Sequence, residues 1–235
     1  MTPKARAGVG TLALIGGGEW GDDCRAFDRD LLDRSEAKKV VVLPTAAAFE
    51  HPERAIERAQ AHFDGLGAGV EGLMVLHRSE AEDQEVAATV RKARFVYLGD
   101  GSPMHLRSVL KDSPLFDALR DAYEAGAVIA ASGAGATVIC DPMVDPRGGA
   151  YTVGLGLVVG LAVFPYHGSA ADHLRERSID LLPNSASLVG IDEQTAIVRD
   201  PGGAWRAEGA GNVSVYEGDV ITTYTGGQAV DRLAI

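Results

Sequence analysis

The stretch Gly126–Cys140, GAVIAASGAGATVIC, constrains the fold most. Its apolar half, Ala127-Val128-Ile129-Ala130-Ala131, is short and bounded by glycine, which is the pattern of a strand buried on both faces. Four small residues follow, Ser132-Gly133-Ala134-Gly135, and then the apolar Ala136-Thr137-Val138-Ile139. Small residues between a strand and a helix let the backbone turn sharply. In α/β hydrolytic enzymes such a turn presents a nucleophile. The competing reading is plainer: small residues let a helix pack close to a sheet.

Short apolar runs recur upstream at Thr11–Ile15, Lys39–Leu43, Val70–Leu76 and Arg94–Leu98. Between them lie helical patterns over Asp22–Arg34, Pro52–Leu66 and Glu80–Lys92. Ser102, with Pro103 behind it, caps a further helix to Leu110, and Asp112-Ser113-Pro114 opens another through Glu124. This alternation predicts an α/β fold, three-layered, with a mostly parallel sheet flanked by helices. Beyond Cys140 the pattern changes. A helix over Ala171–Leu182 precedes short strands at Leu188–Ile191, Ala196–Arg199, Ala204–Ala207, Val213–Tyr216 and Val220–Tyr224, a C-terminal antiparallel extension. No linker, repeat or low-complexity segment divides residues 1–235, so one domain is expected. Sites in such sheets form at the carboxyl ends of strands. Those ends are Gly16–Glu19, Pro44–Thr45, Gly99–Ser102 and Ser132–Gly135.

A net charge of −11 argues against nucleic acid and anionic membrane surfaces, which need a basic patch. No apolar run approaches the length of a membrane helix, and the N-terminus lacks a signal-peptide core, so a cytoplasmic protein is expected. Cys24 and Cys140 are lone thiols, without the clustering that holds zinc, and no metal or other cofactor is expected. Gly16-Gly17-Gly18-Glu19-Trp20-Gly21 has the spacing of a dinucleotide-binding turn. The second strand, however, ends in Pro44-Thr45 and not in the acidic residue that would hold a ribose. Dinucleotide binding is therefore a distant alternative. Of six histidines, His167 stands apart, at the start of a loop after Phe164-Pro165-Tyr166. Asp192 and Glu193 put two carboxylates at a strand end, where one could orient a histidine.

Together these pieces resemble the serine peptidase family of dipeptidase E and cyanophycinase. The resemblance is carried by LIGGGE (14–19), VVLPTAAA (41–48), VYLGDGSPMHLRSVL (96–110), GAVIAASGAGATVI (126–139), FPYHG (164–168) and GIDEQTAIV (190–198). It implies a flavodoxin-like, class I glutamine amidotransferase-like sheet and hydrolysis of aspartyl peptide bonds. It also implies a nucleophile at position 133, a base at His167 and an acid at Glu193. Gly99, Asp100, Gly101 and Ala134 would surround the substrate, with backbone N–H groups of the 99–101 loop helping to form an oxyanion hole. Two positions depart from the family pattern. Gly133 stands where the nucleophilic serine is expected, and Asp100 replaces a glycine. Ser132 precedes the elbow, but neighbouring side chains of a strand point to opposite faces, which should turn it from His167.

Three readings follow. The chain is a peptidase-like protein without its nucleophile that binds a small peptide or other small ligand. Or it is a hydrolase that uses Ser132, or a water activated by His167 and Glu193. Or Gly133 is an introduced Ser→Gly change. Arg175 and Arg177 are candidates to meet an acidic substrate, and a homodimer is compatible with the family.

Overall fold

The computed structural model describes residues 9–218 and 220–233. Residues 1–8, the first part of the stretch that bears on a signal peptide, lie outside them. Seven strands form the central sheet. In chain order its first five are β1 (Leu12–Ile15), β2 (Lys39–Leu43), β3 (Gly69–Gly72), β4 (Phe95–Leu98) and β5 (Val128–Ser132). The chain then supplies β6 (Leu161–Phe164), β7 (Ser187–Ile191), β8 (Thr195–Arg199), β9 (Trp205–Gly209), β10 (Asn212–Glu217) and β11 (Val220–Thr225). The central order is β9-β8-β1-β5-β4-β2-β3. Its first five strands in sequence run parallel, and β8 and β9 add on antiparallel at the β1 edge. This is the expected mostly parallel α/β sheet with an antiparallel segment.

Strand β1 shows how the sequence sets the layers. Its four residues are fully buried, Leu12 and Leu14 facing one core and Ala13 and Ile15 the other, as a period of two requires. Helices α1 (Arg25–Ser35) and α2 (Pro52–Asp64) cover the second face with Phe27, Leu31 and Phe63. The first face is covered by α4 (Gln84–Lys92), α5 (Pro103–Leu110), α6 (Pro114–Glu124) and α7 (Ala134–Ile139), with a short helix α3 (Arg78–Ala81) before them. Asp83 splits the helix expected over 80–92, because its side chain accepts the Glu85 and Val86 amides and starts a new helix. The third strand stops at Gly72, four residues short of the expected Leu76. As the edge strand it pairs only with β2, and Gly72 packs against Ile56.

The C-terminal strands divide between two sheets. β8 and β9 enter the central sheet, while β6, β7, β10 and β11 form a separate four-stranded sheet in the order β6-β7-β10-β11. Helix α8 (Asp172–Asp180) bridges β6 and β7, whose pairing is parallel. Among the described residues no helix is long and apolar enough to cross a membrane. Cys24 and Cys140 are free and buried, and burial pushes the Cys24 thiol up to about 12. Such buried thiols are poor nucleophiles and poor metal ligands.

Candidate active site

The strand ends converge as the sheet topology requires. Strand β5 is wholly buried, and its last residue is Ser132. Gly133 follows with φ 49° and ψ −109°, and α7 begins at Ala134. A positive φ after a strand and before a helix is the sharp turn that the small residues anticipate. The elbow is therefore built, without a side chain on it.

Asp100 fills the space. A Cβ placed on Gly133 would lie 2.1 Å from Asp100 Oδ1. That oxygen accepts the Gly101 and Ala134 amides, each at 2.7 Å. The other oxygen, Oδ2, accepts the Tyr166 hydroxyl. Two backbone N–H groups at the elbow thus hold a carboxylate of the same chain. Tyr166 reaches this point because Gly17 has no side chain; a Cβ there would meet the Tyr166 ring at 2.2 Å. Burial and the adjacent Asp100 push the Tyr166 phenol well above its usual range, so it remains a donor.

Ser132 turns the other way, as strand alternation predicts. It is fully buried and donates to Glu19 Oε2 at 2.8 Å. Glu19 Oε1 accepts the Asp100 amide at 3.3 Å. Burial, and next the Asp100 charge, raise the Glu19 carboxyl above its ordinary value. A raised carboxyl contributes stability that is full below its unfolded value and is lost as pH rises through the folded one. Glu19→Gln should therefore stabilise the protein by about 1–2 kcal/mol near pH 8, with the gain shrinking toward about pH 4. Thermal melts at the two pH values check this; a larger gain at acid pH would contradict the assignment.

His167 lies in the turn after β6, its imidazole resting against Gly190 of β7, where a Cβ would come 2.2 Å from Cδ2. Its Nε2 is 2.7 Å from the Tyr216 hydroxyl, and its Nδ1 is 3.7 Å from Asp192 Oδ1. Burial lowers the His167 pKa and so favours the neutral ring, while the Asp192 carboxylate opposes it. The acid beside His167 is thus Asp192. The expected partner Glu193 is exposed, and its backbone carbonyl accepts the Thr195 hydroxyl. Ser132, His167 and Glu193 are not brought together as a triad. The physical reason is again alternation: Asp192 and Glu193 are neighbours at a strand end, and only one can face the histidine. Of the two candidate arginines, Arg175 donates to the His167 carbonyl and pairs with Asp172, and Arg177 is exposed on α8.

A cleft of about 650 Å³ opens over the elbow. Glu19, Asp100, Gly101, Ala134 and Tyr166 form part of its lining, as do Arg54 and Arg58 of α2. Arg58 is anchored, donating to the Glu19 carbonyl at 2.8 Å and lying over the Trp20 ring. Gly99, also expected here, hydrogen-bonds through its amide to Leu43 at the neighbouring strand end. Sequence reasoning missed Tyr166, Arg54 and Arg58 as cleft residues. The adjacency of Tyr166 to His167 was the available signal for the first, whereas the arginines lie on an ordinary amphipathic helix.

Comparisons with known proteins identify the family. Residues 12–204 match Peptidase family S51. The chain is 27% identical to a cyanophycinase of Trichormus variabilis over 94% of its own length and 77% of that protein. It is 24% identical to a cyanophycinase of Synechococcus elongatus, over 88% and 68% respectively. A crystal structure of a peptidase from an acI-B1 Actinobacterium superposes with a TM-score of 0.87 at 26% identity, covering 96% of this chain and 98% of that one. A putative peptidase E protein from Listeria monocytogenes shares the fold, with a TM-score of 0.63 at 17% identity over 92% and 98%. A sheet of this order, an elbow after β5 and a family match across most of the chain place this protein in Peptidase family S51.

Proposed function

We propose that this member of the family does not hydrolyse peptides by a serine mechanism and instead holds a small peptide or other small ligand in the cleft over the elbow. The observation that carries this reading is the Asp100 carboxylate, seated on the Gly101 and Ala134 amides against a side-chain-free Gly133. A nucleophile needs a base within hydrogen-bond reach. The Ser132 hydroxyl is fully buried and given to the Glu19 carboxyl, and His167 is bonded to Tyr216. Loss of a triad nucleophile removes several orders of magnitude of rate. An acidic protein with an apolar-walled cleft suits a small ligand better than a polyanion.

The test is hydrolysis of aspartyl dipeptides by the parent protein, with Ser132→Ala and His167→Ala alongside. The parent is expected to release no amino acid above the buffer rate. Turnover by the parent that is lost in Ser132→Ala would replace this reading with a Ser132 hydrolase. Turnover lost only in His167→Ala would point to an activated water.

A further inference from the structure

Gly133 and Asp100 depend on each other. The side chain absent at 133 would overlap the carboxylate present at 100, with a Cβ 2.1 Å from Oδ1 and 2.2 Å from Cγ. The carboxylate does more than fill a void. It engages donors from three separate segments: the Gly101 amide after β4, the Ala134 amide after β5 and the Tyr166 hydroxyl after β6. Three convergent donors on one carboxylate form a built receptor for a planar oxyanion, and bonds to an ionised acceptor are the stronger kind. The Tyr166 phenol, raised by burial, stays a donor at neutral pH. Asp100 is half-buried and lines the open cleft, so its side chain borders space into which it can turn.

We propose that Asp100 is a tethered ligand that closes an otherwise intact carboxylate receptor, and that a small carboxylate from solution occupies the same donors when the Asp100 side chain is displaced or removed. The proposal rests on the reading of the cleft as a binding site. It specifies the chemistry at the floor of that site: a carboxylate, its two oxygens divided between the backbone amides and the phenol. Asp100 then acts as an autoinhibitory contact, because any ligand carboxylate must compete with one held at high effective concentration.

The experiment uses sodium formate as the probe, with sodium chloride at equal ionic strength as control. Backbone amide resonances are followed in the parent, Asp100→Ala and Asp100→Ala/Tyr166→Phe. In the parent, formate is expected to leave the Gly101 and Ala134 amides unmoved. In Asp100→Ala both should shift upfield without formate and return downfield, saturably, as formate is added, with affinity at least tenfold above any response of the parent. Adding Tyr166→Phe should weaken that binding about fivefold to tenfold. An unchanged formate response at these amides in folded Asp100→Ala overturns the proposal, as does equal formate affinity in the parent. Asp100→Gly serves as the second variant. If neither variant folds, the carboxylate is an irreplaceable structural group and not a displaceable ligand, which also overturns it. Peptide hydrolysis by the parent would refute the non-catalytic reading separately, since the formate titration does not measure turnover.

Discussion

Gly133→Ser should destabilise the protein by roughly 3–5 kcal/mol, and about half of that effect should disappear when Asp100→Gly is present in the same chain. Two contributions add. A serine at φ 49° occupies backbone space that L side chains rarely adopt, at about 1–3 kcal/mol. Its Cβ also expels the Asp100 carboxylate, which then gives up its bonds to two amides and a phenol, each worth about 1 kcal/mol or more. Once position 100 is glycine, only the backbone contribution remains. Urea unfolding of the parent, both single variants and the double variant should therefore yield a coupling of about 2 kcal/mol. Additivity within about 0.5 kcal/mol would show that the two residues do not contend for one space. The single variant is also expected to stay inactive against aspartyl dipeptides, because His167 Nε2 is held by the Tyr216 hydroxyl.

His62→Ala should be comparably damaging, by about 3–5 kcal/mol, although it lies away from the cleft floor. His62 and Asp28 form a buried hydrogen-bonded pair, with Nε2 2.9 Å from Oδ2 and side-chain exposures of 3% and 0%. Truncating the histidine leaves a fully buried carboxyl without its partner, and the pair belongs to the layer where α1 and α2 pack on the sheet. For a chain of this size the melting temperature should fall by roughly 10 °C. Burial raises the Asp28 carboxyl, with His62 acting against it. Removing His62 raises it further. Its contribution to stability is full below the unfolded value of about 3.9 and declines as pH rises through the folded one. The deficit of His62→Ala should therefore widen from about pH 4 to about pH 8 in matched thermal melts. A deficit independent of pH would mean that the histidine acts through packing alone.

Much of the scaffold was legible because burial imposes a period. Buried parallel strands read as continuous apolar runs, KVVVL and RFVYL among them, and these became β2 and β4. The helix starts at Ser102 and Ser113 were marked by their hydroxyls, which accept the His105 and Phe116 amides. Less legible was the division of the C-terminal strands. Short alternating segments such as Thr195–Arg199 and Asn212–Glu217 carry similar patterns, yet one joins the central sheet and the other a second sheet. Partner choice there rests on long-range pairing, to which local alternation is blind.

The site divides in the same way. Sequence alone determined that position 133 carries no nucleophile, because a missing side chain is a covalent fact that no fold can reverse. It also indicated that Ser132 would face away, since adjacent residues of a strand diverge by geometry. Only the tertiary structure decided what stands in the empty place. Asp100 and Tyr166 are 66 residues apart in sequence, and each lies in a loop whose side chain could point in several directions. Their meeting over Gly133 follows from the adjacency of β4 and β5 and from the room that Gly17 leaves for the Tyr166 ring. The same holds for Asp192, beside His167 in place of Glu193. Residue types set which chemistry was possible at the elbow of β5, and side-chain direction, fixed by packing across strands, selected a carboxylate seated on backbone amides.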